Sequence, residues 1–246
     1  MIQFIEEKKM KEKDLPIDLT KHVIYTDKAK KCVQKLLHRY YDEKTAEELW
    51  EKVQLRYAEF LKDEPALGSA KITVSIYDPI LIFAWYDVVP DKPPIEEIQQ
   101  DVYDCFMGSF DALGKVFNLN RKLDHRLASK IFKKTSDTRE KESKTLPESF
   151  RMGGFSYDRE SGAICYHFTQ CPNAEFAKRH HMESILPVMC NCDHFAMQKL
   201  HATLIREGTC ITSDRCDYYI IGDQSPQAAE YELVKDENGL LLSKKK

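Results

Sequence analysis

The chain has 246 residues, 42% of them hydrophobic and 31% charged, with a formal net charge of -3. That length buries a core in one large domain or two small ones, and the balance is ordinary for a soluble globular protein. It gives no electrostatic case for a nucleic-acid binder or for general attraction to an anionic membrane.

The opening MIQFIEEKKM lacks the apolar stretch of a signal peptide. The longest apolar run, PILIFAWY between Asp78 and Asp87, falls far short of the roughly 18 residues a spanning helix needs. Eight cysteines in a chain of this size, with no secretion signal, are read as reduced thiols in a cytoplasmic protein.

Residues 1–20 read as a loose arm or short docking segment. A helix begins near Asp27, with Ala29, Cys32, Val33, Leu36, Leu37 and Tyr40 on one stripe, so Cys32 is a core residue. A second helix starts at Thr45, where Thr45 and Glu48 form a capping box. Its apolar face is Leu49, Trp50, Val53, Tyr57, Phe60 and Leu61. KITVSIY alternates like a strand, whereas PILIFAWYDVV fits a buried strand or a helical turn equally well. A long helix opens at Ile95 and carries Ile98, Val102, Cys105, Phe106, Phe110, Leu113 and Phe117, with close packing or a bend at Gly108 and Gly114. A further helix over 121–133 turns Leu123, Leu127 and Ile131 inward. The charged stretch KKTSDTREKESKTLPES then reads as a mobile loop or boundary.

The last third is clearer. FRMGGFSYDRESGAICYHFT is a hairpin turning in DRESG, and helices CPNAEFAKRHH and LPVMCNCDHFAMQKL follow. HATLIREG and RCDYYIIG make a second hairpin. The fold class is therefore α+β: a helical half packed on a C-terminal antiparallel sheet in the order hairpin, helix, helix, hairpin. One domain spans 21–225, with its helical half at 21–135 and its sheet and site at 150–223. Residues 226–246 form a disordered or weakly docked tail.

Six of the eight cysteines fall between Ala163 and Asp223. Pro172 at a first helical position makes Cys171 the N-cap, where unpaired N–H groups and the helix dipole favour a thiolate. Glu175 stands one turn on. Cys190 and Asp193 are helical neighbours, with His194 on much of the same face, and an aspartate beside a thiol can act as base or hold an amidine. Cys216 and Asp217 point to opposite faces of a strand. Arg206 on the partner strand suits a carboxylate, or else a surface ion pair. Cys192 reads as core and Cys210 as incidental. Zinc spacing is poor, though Cys171, Cys190 and Cys216 could converge on a metal, with Asp193 or Glu175 as fourth ligand. No phosphate loop or serine-hydrolase motif occurs.

The run CPNAEFAKRHHMESILPVMCNCDHFAMQKL, then LIREGT, then RCDYY, resembles the L-2-amino-thiazoline-4-carboxylic acid hydrolase family. Cys171, Cys190, Asp193, Arg206, Gly208, Thr209, Cys216 and Asp217 carry the likeness, which is good over about sixty residues and weak before Met152. It implies ring-opening hydrolysis of a small cyclic amidine or amide, with Cys171 as nucleophile or Asp193 activating water. Cys190 and Cys216 join the catalytic set, and Arg206 grips a carboxylate beside Glu175, Asp217 and His194. The layout is also similar to vinyl reductase-type ligand-binding domains, which implies a non-catalytic sensor with cysteine-bound zinc. No cofactor is required, and the expected partner is a small molecule, with neither nucleic acid nor membrane and with self-association left open.

Overall fold

A computed structural model describes residues 25–62, 64–65, 67 and 73–246. The arm expected over 1–20 and the segment Gly68–Ile72 lie outside the described residues. Within them the chain is α+β, a helical front half followed by an antiparallel sheet.

The first helix, α1 (Asp27–Tyr40), is capped by Thr26, whose hydroxyl accepts from the Ala29 N–H at 3.2 Å. It buries Ala29, Cys32, Val33, Leu36 and Leu37 as its periodicity dictates. The next helix, α2 (Glu43–Lys62), starts earlier than expected. Asp42 does the capping there, taking the Thr45 N–H at 2.9 Å and the Thr45 hydroxyl at 3.1 Å, so Thr45 is no cap and the Thr45–Glu48 box does not form.

The ambiguous apolar stretch is a helix, α3 (Thr73–Val88), and the strand-like alternation before it misleads. From Ile76 to Trp85 every residue is buried, Pro79 included, because an all-round apolar helix must sit at the centre. Pro79 lies inside it. The expected long helix ends at Phe106 as α4 (Ile95–Phe106) and resumes briefly as α5 (Ser109–Leu113). Gly114 then meets the Lys199 backbone so closely that an added Cβ would stand 2.0 Å from the carbonyl oxygen.

Two further expectations fail together. The charged stretch is no loop but the second half of α6 (Lys122–Thr145), and Leu123, Leu127 and Ile131 face outward, 77%, 51% and 56% exposed. The buried face of α6 is His125, Ala128, Ser129 and Ser136, with Phe132 stacked on Tyr166. The helix packs chiefly against the first strand of the sheet, and that surface decides which of its faces is covered.

The sheet pairs β1 (Arg151–Tyr157), β2 (Ile164–Gln170), β3 (Ala202–Ile205) and β4 (Cys216–Gly222) in the spatial order β1-β2-β4-β3, all antiparallel. The β1–β2 turn falls in DRESG, where Asp158 caps the Glu160 N–H and Gly162 adopts φ +78°. Between β2 and β3 run α7 (Pro172–Arg179), a single 3-10 turn, α8 (Pro187–Cys190) and α9 (Cys192–Lys199). The tail is ordered, contrary to expectation: α10 (Pro226–Ala229) leads into a hairpin of β5 (Tyr231–Lys235) and β6 (Leu241–Lys245). Ala228 and Tyr231 cover Ala163, Ile205 and Ile221 on the outer sheet face, so both faces are occupied. Among the described residues no helix is long and apolar enough to cross a membrane.

Candidate active site

The register of β2 on β4 sets Tyr166 opposite Tyr218 and Phe168 opposite Cys216, which puts an aromatic patch on the inner face. Tyr166 and Tyr218 stack at 4.7 Å between ring centroids. The helices do not close on this patch, and a cavity of about 390 Å³ remains. Its walls are Tyr166, Phe168, Cys216 and Tyr218 from the sheet, Cys171 and Asn173 from α7, and Cys190, Asp193 and Arg206 from the segment beyond. Ser75 and Pro79 of α3, Phe106 and Met107, and Thr135 and Arg139 of α6 complete it.

Asp193 is its chemical centre. Its Oδ2 accepts from the Tyr218 hydroxyl at 2.6 Å and from Arg206 Nη1 at 3.2 Å. Arg206, 1% exposed, also donates from Nη2 to the Cys190 carbonyl at 2.8 Å. It is thus a buried ion pair and no surface one. Asp193 keeps 28% of its side-chain surface, through the cavity. Burial raises its pKa from the ordinary carboxylate value, with Arg206 and Tyr218 pulling the other way. Those two donors share one oxygen, and Oδ1 takes no hydrogen bond from the described residues.

The thiols behave differently from the expectation placed on them. Cys171 is the N-cap of α7, as its position before Pro172 requires. Yet burial, then its neighbour Cys190, hold its pKa well above the ordinary thiol value, against the smaller pull of the Ala174 N–H. A short helix supplies too little dipole to offset desolvation. Cys190 is raised chiefly by burial, and Cys216 is pushed up to about 12 by the same cause. All three are neutral at pH 7.

Other candidates stand elsewhere. Glu175 pairs with Lys178 at 3.2 Å on the surface, away from the cavity lining. Asp217 pairs with Arg215 at 2.7 Å on the outer sheet face, beside a second cavity of about 350 Å³. His194 is buried behind the site, with Nε2 donating to the Leu241 carbonyl at 3.0 Å. Cys192 is core, and Cys210 lies against the Phe168 carbonyl at 3.5 Å.

Among the described residues no group of three or more His, Cys, Asp or Glu could hold a metal ion. The set Cys171, Cys190 and Cys216 therefore does not fit zinc, and the charge of Arg206 beside Asp193 opposes a second cation there.

The sequence did not single out Tyr218, Asn173 or Arg139 as site residues. Tyr218 could have been found from its alternation with Cys216 and Asn173 from its place after Pro172, whereas Arg139 was hidden by the misread end of α6.

Comparison with curated proteins and with solved structures gave no match. Residues 75–219, more than half of the chain and including every wall of the cavity, match the family model described as L-2-amino-thiazoline-4-carboxylic acid hydrolase. The chain belongs to the L-2-amino-thiazoline-4-carboxylic acid hydrolase family.

Proposed function

We propose that this chain hydrolyses a small cyclic amidine, of the kind represented by 2-amino-thiazoline-4-carboxylate, with Asp193 as general base and then general acid. The observation that carries this reading is the Asp193 carboxylate itself: anchored through Oδ2 by Tyr218 and Arg206, open to the cavity, and more basic than an ordinary carboxylate. A positioned base gains as its pKa approaches the working pH.

In this mechanism Asp193 takes a proton from water, and the oxygen adds to the amidine carbon, which bears two nitrogens and the ring sulfur. The tetrahedral adduct collapses by breaking the carbon–sulfur bond. Asp193 returns its proton to the departing sulfur while the hydroxyl proton of the adduct passes to the former amidine nitrogen, so one water is consumed and an N-carbamoyl-cysteine is released. The three neutral thiols shape the cavity and hold no charge that would compete with the substrate. Free cysteines throughout the described residues suit a reducing, cytoplasmic setting for this activity. Among the described residues the competing zinc-sensor reading lacks a donor set.

Incubating the purified chain with 2-amino-thiazoline-4-carboxylate should yield a new small thiol and a mass gain of one water. Asp193→Asn should lower turnover by about 10²–10⁴-fold while ligand binding changes far less. No product from the wild-type chain, or full activity in the variant, overturns the reading.

A further inference from the structure

We propose that Arg139 grips the carboxylate of the substrate and makes the cavity selective for an acid over its decarboxylated counterpart. The choice of substrate rests on the hydrolase reading above; the placement of the arginine does not.

Two arginines line the cavity. Arg206 is 1% exposed and spends its terminal nitrogens on Asp193 and on the Cys190 carbonyl, so its charge is already answered at the reacting end. Arg139 comes from a different element, α6, and its side chain keeps 13% of its surface. Its guanidinium lies 5.1 Å from the Phe150 ring centroid, and Nη1 donates to Glu142 Oε2 at 3.1 Å.

Those two contacts fix the plane of the group before any ligand arrives. A guanidinium has five N–H donors in a rigid fork, more than one carboxylate can use, and a pre-set fork loses little freedom on binding an anion. Glu142 balances the charge of the guanidinium without exhausting its donors. With an acid on α9 and a base on α6, the cavity matches a ligand that carries an amidine at one end and a carboxylate at the other. Arg139 then orients the amidine carbon toward Asp193.

The test compares 2-amino-thiazoline-4-carboxylate with 2-amino-thiazoline, which lacks the carboxylate. For Arg139→Gln, KM for the acid should rise by about tenfold to a hundredfold with kcat within about threefold, as expected for loss of a charge-assisted pair. The decarboxylated compound should be handled as by the wild-type chain. Arg139→Lys, which keeps the charge but not the fork, should fall between. A merely structural role would affect both compounds alike, and that result, or no effect on either, overturns the proposal.

Calorimetric binding of thiazolidine-4-carboxylate, which has no amidine to hydrolyse, separates the two readings. Binding that is lost in Arg139→Gln upholds the carboxylate site even if no turnover is found. Turnover by the wild-type chain with unaltered discrimination in the variant removes Arg139 and leaves the hydrolase standing.

Discussion

Asn173 donates its side-chain amide to the Ser75 carbonyl at 2.9 Å, in the place where Pro79 has no N–H to offer. In an unbroken helix the residue at position 79 would donate to the carbonyl four residues back, at Ser75. The proline leaves that acceptor open toward the cavity, and the first turn of α7 fills it. The same bond fixes the amide, so Oδ1 is the atom turned away, and it is buried with no hydrogen-bond partner among the described residues.

This arrangement predicts coupling. Asn173→Ala alone should cost about 1–2 kcal/mol, because it strands the Ser75 carbonyl. Pro79→Ala restores an N–H at that place and makes the Asn173 bond redundant. The double variant should therefore be more stable than the sum of the single effects, by about 1 kcal/mol. Urea unfolding of all four chains checks this, and strict additivity would show that the two residues do not share an acceptor.

The thiols yield a second prediction. Cys171→Ser should keep turnover within about tenfold, since a deeply buried, neutral thiol at a short helix makes a poor nucleophile. Iodoacetamide should likewise alkylate Cys171 slowly near neutral pH. A loss of about a thousandfold on this substitution would return Cys171 to the chemistry and demote Asp193 to its base.

How far these residues could be foreseen varies with the physics that places them. Local signals served well: Pro172 marked the start of α7, the DRESG run marked the hairpin turn, and strand alternation put Cys216 and Asp217 on opposite faces. The outward leucines of α6 could not be foreseen, because the partner surface decides which face is buried. Docking on the sheet buries His125, Ala128, Ser129 and Ser136 and leaves Leu123, Leu127 and Ile131 outside, so the tertiary contact overrides the apolar stripe. The misjudged end of α6 in turn hid Arg139. The two readings of Arg206, a carboxylate grip or a surface ion pair, both take its head group as accessible, since nothing local reveals that a strand end will be covered by β6.

A third prediction concerns acid stability. His194 is buried and its pKa is lowered to about 3, first by burial and then by the charge of Arg206. The unfolded chain takes up a proton near 6.5, whereas the folded chain refuses it until about 3. Below 6.5 the unfolded state therefore binds more protons, and stability falls as pH falls through that window, by up to about 1.4 kcal/mol per pH unit. Asp193 and Asp78, both raised by burial, act in the opposite sense: their contribution is present in acid and is lost as pH rises through their folded values. His194→Gln keeps a donor for the Leu241 carbonyl and should flatten the fall between about pH 6 and about pH 4. Denaturant midpoints across that range decide it, and an unchanged slope would place the acid sensitivity in other groups.

The C-terminal hairpin supports the final prediction. Ser243 exchanges bonds with Arg206: its hydroxyl accepts the Arg206 N–H at 3.0 Å, and its own N–H donates to the Arg206 carbonyl at 2.7 Å. The hydroxyl also donates to the Leu204 carbonyl at 3.2 Å. Nearby, Asn191 is clasped by the Leu241 N–H at 2.8 Å and the Gly239 carbonyl at 3.1 Å, next to Cys190 and two residues before Asp193. The hairpin thus holds the backbone on which the Arg206–Asp193 pair depends. Ser243→Ala leaves a buried Arg206 N–H without its partner, which costs about 1–3 kcal/mol, or a fall in Tm of roughly 2–12 °C for a chain of this size. The exposed neighbour Lys244→Ala should stay within about 0.5 kcal/mol of wild type. Thermal melts of both variants make the comparison, and equal losses at the two positions would mean that the hairpin is bound only through its surface.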